Sequence, residues 1–276
     1  MNIVRDGIHR ARKFFAGTST AIAPQTVAMP RDDGLSFYQA CDLPQIGFVP
    51  GLWDHRGTED VYLARTDFTG LTAIDVGPAN GFWSFEMERR GARVIAIELG
   101  PNDDWDAVPR AGVLDDGLAK NLKSNVENSL SDFWKCHAAY NSKVELRRGT
   151  VYSVPKIIDK TDVALMGNIL QHLRDPFLAI ERVASVVKWK IIVSESIWVD
   201  DDEFLKTARI QLIPRSYVPM VNHSWYQVSP VYVGEVLQIL GFVNLKCEYH
   251  HQRFNGTSVD PNPRMVPHFT YSGERP

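Results

Sequence analysis

The residues best placed to do chemistry form one short run and one distant partner. The run is Asp75-Val76-Gly77-Pro78-Ala79-Asn80-Gly81, and the partner is Glu98. Gly77 and Gly81 suit a tight turn at a strand end, where main chain must approach a ligand closely. Asp75 closes an apolar run, a costly place for a carboxylate without a partner. Glu98 closes the next apolar run, where an acid can accept hydrogen bonds from both hydroxyls of a ribose.

A second set of residues follows later apolar runs. His172 could take a proton from a hydroxyl near neutral pH; the plainer alternative is a histidine that fixes its loop. His223 and Trp225, next to Tyr226, could hold a ring or sugar, or could form a small local core. Glu195 and Ser196 end another run and could face the same place. Asn102, Asp103, Asp104 and Asp106 have the spacing of a solvated turn, and no metal site is assigned. Asp200, Asp201, Asp202 and Glu203 suit the start of a helix, whose dipole favours acids. His250 and His251 are expected at the end of an exposed strand.

The elements that must carry these groups alternate. Leu71–Val76 reads as a buried parallel strand, Phe82–Arg90 as a helix stopped by Gly91, and Arg93–Glu98 as a second strand. Together they make a β–turn–α–β unit. Further on, the pattern predicts a helix near Ser131–Tyr140 and strands at Val144–Arg147 and Asp162–Met166. It then predicts a helix over Pro176–Val187 and a strand at Lys190–Ser194. A helix is expected over Asp202–Leu212, inside an irregular insertion at residues 200–228. Ser229 caps a helix running to Leu240, with Pro230 in its first turn. Val243–Tyr249 and Met265–Tyr271 are the last strands.

Before residue 71 the signals are weaker. Met1–Gly17 reads as a short basic amphipathic helix, residues 18–34 as a connector, and residues 35–70 as short strands or turns beside the main sheet. The expected fold is therefore α/β, a Rossmann-like, doubly wound sheet of seven strands with helices on both faces. A domain over residues 71–276 carries it, behind an N-terminal extension over residues 1–70.

The 276 residues carry a net charge of −3, without the basic excess typical of proteins that live on a nucleic-acid backbone. Cys41, Cys136 and Cys247 are scattered, which supports neither a disulfide framework nor a zinc site, and a cytoplasmic setting is expected. No apolar run is long enough to span a membrane.

The order acid, Gly77, Ala79, Gly81, then Glu98, resembles motif I of class I S-adenosylmethionine-dependent methyltransferases. Ala79 stands where the family's middle glycine falls, which is tolerable with ordinary backbone angles. The segments GFWSFEMERRGARVIAIEL, NDDWD, TVYSVP, DVALMGNILQHLRDP, SWYQVSP and LQILGF extend the likeness over residues 45–275. They look most like the subgroup that contains the wobble-uridine tRNA carboxymethyl- and methoxy-forming enzymes.

The resemblance implies S-adenosylmethionine as cofactor and S-adenosylhomocysteine as product. Asp75 and the loop of Gly77, Pro78, Ala79, Asn80 and Gly81 would hold the methionine end. Glu98 would bind the ribose. Thr150 and Val151 would flank the adenine, with Thr150 where many relatives have an acid. Asn168 and Ile169 would line the transfer gap, and His172 or His223 would be the base. The acidic balance and the aromatic insertion, rather than the resemblance, point to a small hydroxylated acceptor, a sugar or natural-product intermediate. A tRNA substrate, a non-catalytic scaffold, and magnesium orienting a diol are the alternatives.

Overall fold

The computed structural model describes residues 37–108, 116–199, 201–214, 223–256 and 262–276. The basic N-terminal helix and the connector expected before residue 35 lie outside these residues.

The chain enters through four short strands, β1 (Phe37–Gln39), β2 (Cys41–Leu43), β3 (Gly47–Val49) and β4 (Gly51–Asp54), and one turn of helix, α1 (Glu59–Tyr62). The alternating part follows: β5 (Thr72–Val76), α2 (Phe82–Arg89), β6 (Arg93–Glu98), α3 (Asp116–Tyr140) and β7 (Glu145–Arg148). Next come α4 (Val154–Ile157), β8 (Thr161–Gly167), α5 (Pro176–Ala184) and β9 (Val187–Ser196). The remainder is α6 (Asp202–Lys206), β10 (Ile210–Leu212), β11 (Tyr226–Val228), α7 (Pro230–Ile239), β12 (Val243–Phe254) and β13 (Arg264–Glu274).

The main sheet has nine described strands in the order β1-β4-β12-β13-β9-β8-β5-β6-β7. From β9 to β7 all neighbours run parallel, whereas β13 runs antiparallel to β9 and to β12. The order reverses at β5, because the chain goes outward through β6 and β7 and then returns to β8 on the other side. That reversal opens a crevice at the carboxyl ends of the parallel strands.

The strand count exceeds the expected seven because the N-terminal segment adds β4 and β1 to the sheet edge. Trp53 of β4 pairs with Phe254 of β12, and both are buried. The parallel strands are apolar on both faces, which separates two cores. Ile74, Val76, Ala164, Met166, Ile191 and Val193 meet α5 and α7 on one face. Ala73, Val94, Ala96, Val163, Leu165 and Ile192 meet the face that carries α2 and α3.

Three expectations need correction. Helix α3 begins at Asp116 rather than near Ser131. Its buried stripe of Leu122, Val126, Leu130, Phe133 and Cys136 has helical spacing but is thin among polar residues. The helix after Asp201 stops at Lys206, and β10 then pairs antiparallel with β11. The reason is Ser229, which accepts from the Arg209 amide and donates to the Thr207 carbonyl, holding this stretch extended. His250 is not at an exposed strand end. Strand β12 continues to Phe254, and His250 lies buried in its middle under Tyr62.

Candidate functional site

The glycine turn forms as its sequence requires. Gly77 and Gly81 take φ of +74° and +90°. A side chain at Gly81 would collide with Phe85 and Phe133, at 2.4 and 2.8 Å from an added Cβ. Ala79 departs from expectation: its φ is +52°, in the left-handed region that glycine would occupy without strain. Asn80 is buried and committed elsewhere. Its amide oxygen accepts from the Gln39 N–H at 2.7 Å, and its amide nitrogen donates to the Gln39 carbonyl at 3.0 Å. Gln39 in turn receives the Phe82 N–H, so β1 is strapped to the loop and to the first turn of α2. Pro78 is buried behind the turn, whose closing bond runs from the Gly81 N–H to its carbonyl.

Asp75 points at α2 and accepts from Ser84 at 2.6 Å. Burial pushes its carboxyl up to about 6, against the opposing effect of that hydrogen bond. Glu98 sits at the end of β6 with one carboxylate oxygen engaged, by the Leu99 N–H at 2.8 Å. Burial raises it to about 7, with nearby Arg148 pulling the other way. Its second oxygen has no partner among the described residues.

The loops after the other strands close in around this edge. Thr150 precedes a tight turn, Val151–Ser153, and Val151 is buried in the core beneath it. Ile169 reaches back over Gly77, its Cδ1 only 3.0 Å from an added Cβ there, so the loops after β5 and β8 touch. Asn168, with φ of +52°, ties the β8 end to its neighbours. It accepts from the Ser196 N–H at 2.8 Å and contacts His268 Nε2 at 3.1 Å.

His172 and His223 come together, though far apart in sequence. His172 Nδ1 lies 2.6 Å from the His223 carbonyl, and the two rings stack with centroids 5.6 Å apart. The carbonyl is an acceptor only, so Nδ1 carries the hydrogen and Nε2 keeps the lone pair. Burial lowers the pKa of His172, which keeps the ring neutral, and pulls His223 down to about 3. Trp105 packs its edge against His172 at 5.7 Å. The acidic loop is structural: Asp103 accepts from the Gly100 N–H, and Asp104 pairs with Lys123. Asp106 accepts from the Tyr152 hydroxyl and the Arg174 N–H, and its carbonyl receives the Trp225 indole N–H. No group of metal-binding side chains occurs among the described residues.

Sequence reasoning missed Gln39, Ser84 and His268. Each acts through a partner remote in sequence or on another element, and no local pattern marks it. Glu195 is buried, with Oε1 accepting from the Leu170 N–H at 2.8 Å. It thus holds the turn Leu170–His172 that presents His172.

No protein-family model matches this chain, and no curated protein matches it. The likeness lies with solved structures. The N-terminal domain of EvdMO1, solved in the presence of SAH and D-fucose, matches with a TM-score of 0.51 at 18% identity. That match covers 100% of this chain and 98% of the other. An O-methyltransferase family protein from Burkholderia thailandensis matches with a TM-score of 0.50 at 13% identity, covering 80% of this chain and 56% of that one. At such identities the likeness defines the fold, a Rossmann-like α/β fold shared with these methyltransferase structures.

Proposed function

We propose that this chain is an S-adenosylmethionine-dependent methyltransferase that methylates a hydroxyl of a small acceptor, a sugar or natural-product intermediate. One observation carries the reading. A glycine turn ends the strand at which the sheet order reverses, and Glu98, with an idle carboxylate oxygen, ends the adjacent strand. A net charge of −3 favours a small acceptor over tRNA.

The residues fit the cofactor. Glu98 has acceptor capacity to spare for two ribose hydroxyls, and the bare Cα of Gly77 leaves only Ile169 close by. Thr150 and Val151 are the residues to flank the adenine, with Asn168 and Ile169 on the methionine side. Asp75 and Asn80 hold the loop from behind through Ser84 and Gln39. When bound, S-adenosylmethionine supplies a methyl group already activated by the sulfonium charge. The chain's own task is then mainly to position two reactants. His172 Nε2 is the atom to take the acceptor's proton, with His223 fixing the tautomer through its carbonyl.

Isothermal titration with S-adenosylmethionine, S-adenosylhomocysteine and NAD tests the reading. Micromolar binding of both sulfur compounds and none of NAD is expected. Glu98→Ala should weaken that binding by about 100-fold, close to 3 kcal/mol, for the loss of charge-assisted hydrogen bonds. Unaltered binding by the variant would remove Glu98 from the site. Binding of NAD alone would overturn the proposal.

A further inference from the structure

Strand β1 is the outermost described strand of the main sheet, and β5 is the seventh counted from it. Their ends nevertheless meet. The sheet curls until Gln39, the last residue of β1, reaches Asn80 in the turn that follows β5. In the sheet β1 pairs with β4, which leaves its other edge with main-chain groups that need a partner. At Gln39 the Asn80 carboxamide takes the place of a neighbouring strand. Its oxygen accepts the Gln39 N–H at 2.7 Å, and its nitrogen donates to the Gln39 carbonyl at 3.0 Å. A carboxamide can do both at once. Gln39 is 5% exposed and Asn80 1%, so water does not compete for these bonds.

The reach of β1 continues into α2. Gly81 stands at the N-cap and offers no side chain to the first amides of the helix. Gln39 Oε1 supplies that cap from another element, accepting the Phe82 N–H at 3.2 Å. Other parts of the N-terminal segment cover the same helical turn. Tyr62 stacks on Trp83 with centroids 3.8 Å apart, and His55 lies 5.1 Å from the same ring. Between β5 and α2, Gly77, Ala79 and Gly81 hold φ of +74°, +52° and +90°. A left-handed alanine is strained, and such strain persists only where the surroundings over-determine it. The bonds from the Gly77 N–H to Ile97 and from the Gly81 N–H to Pro78 fix the two ends of the turn. Asn80, inside it, is held from β1.

We propose that Gln39 and Asn80 form a clasp through which the N-terminal segment sets the shape of the glycine turn, so that closure of the sheet and cofactor binding are coupled. The cofactor's part in this rests on the methyltransferase reading. Both ends of the Asn80 carboxamide are engaged and the residue is buried, so it acts on the cofactor through the turn. Gln39 and Asn80 are thus positioning residues. The coupling is reciprocal: a ligand that favours this shape of the turn must favour the closed clasp equally.

The test uses the full chain, with S-adenosylhomocysteine titrated by calorimetry and hydrogen exchange resolved to single amides by NMR. Asn80→Ala opens the clasp and should weaken S-adenosylhomocysteine by about tenfold; Gln39→Ala removes only the Phe82 cap and should weaken it by about threefold. Arg275→Ala is the control for general destabilisation. Its guanidinium holds the Ala184, Val187 and Leu240 carbonyls, at the end of β9 opposite the turn, and its loss should leave affinity within about twofold of the parent. In the parent, saturating S-adenosylhomocysteine should slow exchange of the Gln39 amide by about tenfold. Parent-like affinity in both clasp variants overturns the proposal, and so does an equal loss in Arg275→Ala. Loss in Asn80→Ala alone, with the Gln39 amide indifferent to ligand, would make Asn80 a direct contact and also overturns it. A parent that does not bind S-adenosylhomocysteine overturns the methyltransferase reading instead. The clasp then stands if the Gly77–Phe82 amides exchange faster in both clasp variants, and falls if they do not.

Discussion

Two sets of buried polar groups lie in this molecule, and they are built on opposite terms. One runs through the antiparallel edge. His55 Nδ1 meets Gln252 Oε1 at 2.8 Å, and Thr58 donates to the same oxygen at 2.9 Å. The Gln252 amide nitrogen reaches His250 Nδ1 at 2.8 Å, His250 Nε2 reaches Thr270 at 2.9 Å, and Thr270 donates to Ser194 at 3.0 Å. Each link fixes the donor of the next, so the whole chain has one consistent direction. The other set is the half-buried Glu98 and the buried Glu195, each with one oxygen held by a backbone amide and the second without a partner among the described residues. A buried network whose members are all bonded repays its desolvation and specifies a single packing. A half-bonded carboxylate does not, and its cost points to a ligand rather than to the fold.

The comparison breaks or sharpens first on pH, where the two sets act in opposite senses. Burial pulls His55 down to about 4 and His250 to about 3, below their unfolded value near 6.5. The native state therefore binds fewer protons at these histidines. Their stabilisation is present above pH 6.5 and is lost as pH falls towards 4. Burial raises Asp75 to about 6, Glu98 to about 7 and Glu195 to about 8. There the native state binds more protons, so stability is full below about 4.5 and is lost as pH rises through 6 to 8. The two windows overlap between about pH 4.5 and 6.5, where the opposite slopes partly cancel, so the melting temperature should be highest there and fall on either side. In Glu195→Gln the alkaline loss should shrink. The variant should gain on the parent from pH 5 to 8 by about 3 kcal/mol, and level off above. Parallel profiles for parent and variant would remove Glu195 as the cause.

The next largest effect tests the bonded set. Gln252→Leu removes the partners of His55 Nδ1 and His250 Nδ1 in a dry interior, and should cost about 3 kcal/mol in urea unfolding. Cofactor affinity of the folded fraction should be unchanged, because the histidine chain is not a ligand group. A cost below about 1 kcal/mol would mean that the network repacks and does not hold the edge. The smallest effect concerns the loop. Ala79→Gly relieves a left-handed alanine and adds chain entropy to the unfolded state. The net gain should be about 0.5 to 1 kcal/mol, a rise of roughly 1 to 3 °C in thermal melting. A fall would show that the methyl group is packed productively.

Much of the parallel half was legible because its signals are local. Arg93–Glu98 emerged with its predicted bounds, and the glycine turn was marked by residues only it needs. Ser229 and Pro230 announced α7 through capping chemistry that involves neighbours alone, and the Ser229 hydroxyl accepts the Tyr232 N–H as that chemistry requires. The antiparallel edge was not legible in this way. His250 sits in a polar stretch of β12, and its burial depends on α1 and β4, which precede it by about two thirds of the chain.

Sequence by itself determined the alternation of strands and helices, the turn at Gly77–Gly81 and the placing of Asp75 and Glu98 at strand ends. Periodicity, capping and backbone sterics act over a few residues, so they can be read along the chain. Tertiary structure decided the rest. It turned Asp75 and Asn80 inward to Ser84 and Gln39, brought His223 and Trp105 to His172, and left Glu195 with one oxygen unpaired. Desolvation and hydrogen-bond completion belong to groups that meet only after long loops have closed, and no local spacing encodes which partner will arrive.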